Sequence, residues 1–92
     1  MDKKFSQRYL AARQEAEQLG VRFRPLQEDV LAAAHRCLSG HRESDGFEKL
    51  KALGRLDLSL EALAVDKRFG SLFTDEEANN ALTRLLTNGY RF

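Results

Sequence analysis

Ninety-two residues make one domain, and the apolar stock is rich in Leu (fifteen) with no Ile and only six Val and Thr together. Strands favour β-branched side chains, so this composition excludes a sheet-dominated fold and points to helices. Fifteen basic and fourteen acidic residues leave a net charge of +1 without a basic or acidic tail, which excludes a nonspecific phosphate-binding arm, and the lone Cys37 excludes an internal disulfide.

The first predicted helix runs from Lys4 to Leu19, where Phe5, Tyr9, Ala12, Ala16 and Leu19 recur at helical spacing and Gly20 supplies a stop. A second is expected from Pro25, which suits the first helical position, with Glu28 and Asp29 at its positive dipole end. Leu26, Val30, Ala33, Ala34, Cys37 and Leu38 would form its buried side and Gly40 its end. The stretch 41–46 reads as the main loop. Ser44 or Asp45 then caps a short helix carrying Phe47, Leu50 and Leu53, closed by Gly54.

Leu56, Leu58 and Leu60 alternate with Asp57 and Ser59, which suits a very short strand or an extended entry to a fourth helix. The entry is preferred, because Ser59 at the N-cap sets Leu58 and Leu63 at hydrophobic-staple spacing. That helix reaches Asp66, and Lys67 to Phe73 forms an apolar turn. Thr74 and Glu77 make a capping box for the last helix, with Asp75 and Glu76 in its first turn. Ala78, Ala81, Leu82, Leu85 and Leu86 are expected inward, and Asn88 with Gly89 ends the helix so that Tyr90 meets Leu85 in a Schellman turn. Gly20-Val21-Arg22-Phe23 and Gly89-Tyr90-Arg91-Phe92 are similar exits that turn two apolar side chains back onto the core. The expected fold is all-α, a compact bundle of four to five short helices with at most one very short strand pair, in a single domain spanning 1–92.

Chemistry-bearing clusters are sparse. His35, Cys37 and His41 are metal-ligand types, but on a helix His35 points about 200° away from Cys37. Cys37 lies on the apolar stripe, where a thiol behaves as a small hydrophobe and not as a nucleophile. The serines and carboxylates have capping or helix-start explanations, and no glycine-rich phosphate loop occurs. No metal, no cofactor and no catalysis are therefore expected. The longest apolar run, Val30 to Ala34, falls far short of the ~20 residues of a membrane span, and Lys3 and Lys4 precede no secretory apolar stretch. A cytoplasmic protein without membrane contact is expected.

From Phe47 onward the order is helix, apolar alternation, helix, turn, helix, and it closes on Leu85-Leu86-Thr87-Asn88-Gly89-Tyr90. This half of the chain resembles a winged-helix domain, whose recognition helix often ends in a similar pattern, and the resemblance implies DNA binding by residues 47–92. Two departures stand against it. No second wing strand follows Phe92, and Asp75, Glu76 and Glu77 would repel phosphates at the helix start.

The outer face of the last helix carries Asn79, Asn80, Thr83, Arg84 and Thr87, in place of the better helix formers usual on a solvated face. These five are the candidate partner-binding residues. The functional expectation is a small non-enzymatic regulatory or adaptor protein that binds a protein partner. A winged-helix-like DNA binder is the alternative, and a Cys37-dependent enzyme the third reading.

Overall fold

The computed structural model describes residues 3–26, 28–40 and 42–90. The fold is all-α, with no strand among the described residues. The helices are α1 (Lys3–Gln18), α2 (Val30–Ser39), α3 (Phe47–Ala52), α4 (Leu60–Ala64) and α5 (Asp75–Thr87), with 3₁₀ turns at Leu56–Leu58 and Lys67–Leu72.

α1 spans two hydrophobic clusters. Its first half sends Phe5 and Tyr9 to a cluster with Ala34, Leu38, Leu60, Leu63, Phe69, Phe73 and Ala81. There Phe5 is wholly buried and sits edge-on to both Phe69 and Phe73, each 5.3 Å away between centroids. The second half of α1 sends Ala12 and Ala16 to a cluster with Val21, Phe47, Leu50, Leu56, Leu58 and Leu85. α4 has only five residues, too few to be helical on propensity alone, and it is held by packing. Leu60, Glu61, Leu63 and Ala64 are all buried, and α4 lies against α5, which also covers α2.

Several helix boundaries follow the expected chemistry. Thr74 and Glu77 form the complete capping box of α5, and the Ser59 side chain accepts the Ala62 N–H at the start of α4. The Schellman ending of α5 is present: Tyr90 N–H donates to Leu85 O at 2.9 Å and Gly89 N–H to Leu86 O at 3.2 Å. Gly89 holds φ +84°, a conformation that costs a side-chain-bearing residue about 1–2 kcal/mol. The same pair of bonds closes α1 at Val21 and α3 at Arg55.

Other expectations are corrected. α2 starts at Val30 and not at Pro25, because Asp29 accepts N–H bonds from Leu31 and Ala32 whereas no capping side chain precedes Pro25. Upstream, Arg24 is held from both sides: its N–H donates to Asp45 and its carbonyl accepts from Arg13, each at 2.6 Å. Leu26 is consequently exposed, not part of a helical stripe. Neither Ser44 nor Asp45 caps α3, whose N-cap is Gly46; Asp45 binds Arg24 and Ser44 binds Glu61. The Leu56–Leu58 stretch winds into a 3₁₀ turn, where Ser59 Oγ donates to Leu56 O at 2.6 Å.

Leu19, Leu53 and Leu86 were expected inward but are exposed, Leu86 by 55%. For α5 the reason is rotation. The stripe facing the interior is Glu77, Ala81, Arg84 and Leu85, not the most apolar stripe, and Leu86 falls on the opposite side.

Candidate functional site

The rotation of α5 divides the five expected contact residues. Asn79, Thr83 and Thr87 are exposed, with Leu86 beside them. Asn80 and Arg84 do not lie on the outer face. Asn80 Nδ2 donates to Leu38 O at 2.8 Å, and Arg84 is only 9% exposed.

Arg84 is the hub of a buried network. Its Nη1 donates to Glu61 Oε2 at 3.2 Å, and its Nη2 donates to Cys37 O at 3.2 Å and Gly40 O at 2.7 Å. Glu61 has no exposed surface, and Ser44 supplies two further donors to it, N–H at 2.8 Å and Oγ–H at 2.6 Å. The charge of each partner is thereby matched, as burial requires.

The same network ends α2. Gly40 has φ −88°, so no Schellman turn closes this helix. Its last carbonyls are satisfied by side chains instead: Ser39 Oγ on His35 O and Arg36 O, Arg84 on Cys37 O, Asn80 on Leu38 O. A guanidinium at a helix C-terminus also opposes the negative end of the dipole.

Next to this network lies a cleft of about 790 Å³ between α1, α2, the residues Arg24, Pro25, Leu26 and Glu28 ahead of α2, and residues 42–45 after it. Its volume is within the range of ligand pockets. Tyr9, Leu26, Val30, Ala33, Ala34 and Leu60 give it an apolar lining, and Arg13, Arg24, Arg36, Arg42, Glu28, Glu43 and Asp45 add charges of both signs. Glu28 is taken by Arg36, which donates to it at 2.7 Å. Arg13 is fixed without a carboxylate among the described residues. Its guanidinium stands 4.6 Å from the Phe23 ring centroid and 5.7 Å from that of Tyr9.

Tyr9 is 6% exposed, and burial pushes its phenol up to about 12, with Arg13 acting in the opposite direction. No described residue hydrogen-bonds its hydroxyl, yet no fully buried side-chain polar atom among the described residues lacks a partner. The hydroxyl is therefore not fully enclosed, and it stays protonated at neutral pH.

Cys37 also lines the cleft, half-buried. Burial and the neighbouring Glu61 push its thiol up, against the pull of Arg84, so the thiolate needed for nucleophilic attack is disfavoured at neutral pH. His35 does not join it. Its Nδ1 lies 2.8 and 2.9 Å from the two carboxylate oxygens of Glu77, and a carboxylate only accepts, so that nitrogen carries its proton. Glu77 Oε1 accepts the Thr74 N–H as well, which ties His35 to the capping box. His41, the third residue considered for a metal, lies outside the described residues, as do Arg91 and Phe92 of the C-terminal exit. Among the described residues no group of three or more His, Cys, Asp or Glu is placed to hold a metal ion.

The cleft was not identified from the sequence. Its one local signal is Tyr9 and Arg13 at i,i+4, which share a face of α1; the remaining walls come from distant segments. Comparison with family models, with curated proteins and with solved structures found no match.

Proposed function

We propose that this chain is a small non-enzymatic regulatory or adaptor protein of the cytoplasm, and that it binds a partner protein by taking an apolar segment into the cleft between α1 and α2. The observation that carries this reading is the cleft itself: an open concavity of about 790 Å³ whose apolar lining stays accessible within a mixed-charge rim. Such a rim suits a polypeptide, since a nucleic acid demands a surface of one sign. The same contrast weighs against the winged-helix alternative. Arg84 is the only cation of α5 and it is turned inward, so Asn79, Thr83 and Thr87 stand on a face with no charge for a phosphate. The raised thiol of Cys37, with His35 engaged by Glu77, weighs against the enzymatic one.

Ala33→Trp tests the reading, because Ala33 lines the cleft without belonging to either core cluster. The variant should keep its helical circular dichroism and lose the partner that the wild-type chain retains from its source cell. Retention of that partner by A33W would refute the cleft as the site. Asn79→Ala with Thr83→Ala is the parallel test of the α5 face, where exposed Leu86 favours a second contact. Affinity for random duplex DNA that falls steeply with salt would restore the nucleic-acid reading.

A further inference from the structure

We propose that the cleft recognises an acidic side chain of the partner segment, with the Tyr9 hydroxyl and the Arg13 guanidinium receiving its carboxylate while neighbouring apolar groups rest on Val30, Ala33 and Leu60. This rests on the cleft being the partner site, and it adds the chemistry that the site selects.

Two independent features converge on it. Tyr9 is nine-tenths buried, with a hydroxyl that no described residue bonds. Tyr9 lines the cleft beside Arg13, whose guanidinium lies 5.7 Å from its ring centroid. Arg13 is positioned before any ligand arrives: stacked on Phe23 and Tyr9, with one Nη2 proton on Arg24 O at 2.6 Å. A guanidinium has five N–H donors, and the remainder have no carboxylate partner among the described residues. A fixed arginine loses little entropy on binding and matches the planar fork of a carboxylate.

The neighbouring acids define the charge of the ligand. Asp45 is held by the Arg24 N–H and Glu28 by Arg36, while Glu43 stands on the rim. Four arginines (Arg13, Arg24, Arg36 and Arg42) against three carboxylates (Glu28, Glu43 and Asp45) leave the lining with one surplus positive charge, which matches a single carboxylate better than a phosphate dianion. A chain-terminal carboxylate is ordinarily captured by backbone N–H groups. Here the Arg24 N–H is already occupied by Asp45, which favours an acidic side chain within the segment.

The test uses acetyl-Ser-Leu-Glu-Leu-Ser-amide, its Gln counterpart, and the Gln peptide with a free C-terminal carboxylate, titrated into the full chain and followed by NMR. The Glu peptide should bind about tenfold or more tighter than the Gln peptide, as expected for hydrogen bonds to a charged group. Tyr9→Phe and Arg13→Gln should each reduce that preference to about twofold. Y9F should leave the melting temperature unchanged or higher, because the lost hydroxyl bonds no described residue; it carries the test if R13Q is unstable. Equal affinity of the Glu and Gln peptides, with both lost in A33W, would keep the cleft as an apolar peptide site and overturn carboxylate recognition. Binding of neither peptide would overturn it as well. Preference for the free C-terminus over the Glu peptide would overturn the side-chain source.

Discussion

Replacing Arg84 by Ala should be the most damaging single change on α5. It leaves Glu61 charged with no exposed surface and removes the donor to Gly40 O and the side-chain donor to Cys37 O. Breaking one side of a buried pair costs about 3–5 kcal/mol. Ser44 still gives Glu61 two hydrogen bonds, and Cys37 O keeps the Gly40 N–H, so the lower figure, about 3 kcal/mol, is expected. For a domain of this size that lowers the melting point by roughly 12–24 °C, out of a total stability of about 5–15 kcal/mol. Urea unfolding followed at 222 nm measures it. Thr83→Ala on the exposed side is the control and should stay within about 0.5 kcal/mol of wild type. Adding Glu61→Gln to R84A should recover part of the loss, because the amide removes the unpaired charge. An R84A variant within about 1 kcal/mol of wild type would show that Arg84 acts as an ordinary surface residue, and the account of the α2–α5 junction would fail.

Gly46→Ala should cost more than Gly54→Ala, although both glycines have positive φ: the new Cβ at 46 would lie 2.6 Å from a Phe23 ring atom, whereas nothing lies within 4 Å at 54. Backbone strain alone accounts for about 1–2 kcal/mol, so equal melting points for the two variants would refute the packing argument. Thr74→Ala should cost about 1 kcal/mol through loss of the capping box, read from the urea midpoint. Acid should unfold the chain between about pH 4 and pH 2. Glu77 titrates below its ordinary range, since the Thr74 N–H and His35 outweigh an opposing burial effect, and Asp66 lies at about 2 through its hydrogen bonds with Arg68. Both depressed carboxyls stabilise the fold above their unfolded values and lose that contribution as pH falls through the folded ones. Asp66 is partly solvent-screened, so His35→Ala, which acts on Glu77, should shift the acid midpoint upward more than Arg68→Ala. Cys37 should react slowly with a thiol reagent at pH 7 and rapidly in denaturant; fast native labelling would contradict its raised thiol.

What the sequence made legible was local. Thr74 with Glu77, Ser59, and the glycine stops at 20, 54 and 89 each act within one turn of chain, so residue type and spacing suffice to find them. The all-α class followed similarly from side-chain rotamer preferences. The second helix began late because two start signals competed and Asp29, which satisfies two N–H groups, prevailed over Pro25. The inward face of α5 departs from its apolar periodicity for a different reason. Amphipathic periodicity assumes that charge faces water, but Glu61 and Arg84 are 23 residues apart and neutralise each other inside the fold. A pairing at that distance leaves no periodic mark. The cleft was invisible for the same reason, since its walls meet only after α1, α2 and the connections on either side of α2 have packed.

The way α2 ends has a consequence for how this molecule opens. A helix closed by its own glycine can lose its last turn without disturbing anything else, and such turns exchange their amide protons early. α2 has no such independent end. Its final carbonyls are held by Asn80 and Arg84, more than forty positions further along the chain, and Arg84 also holds α4 through Glu61. Releasing the last turn of α2 therefore breaks its bonds to α5 and takes from the buried Arg84 its acceptors on Cys37 and Gly40. The N–H groups of Leu38 and Ser39 should accordingly exchange on the timescale of whole-domain unfolding, and fragments cut between α4 and α5 should not retain α2 as a helix.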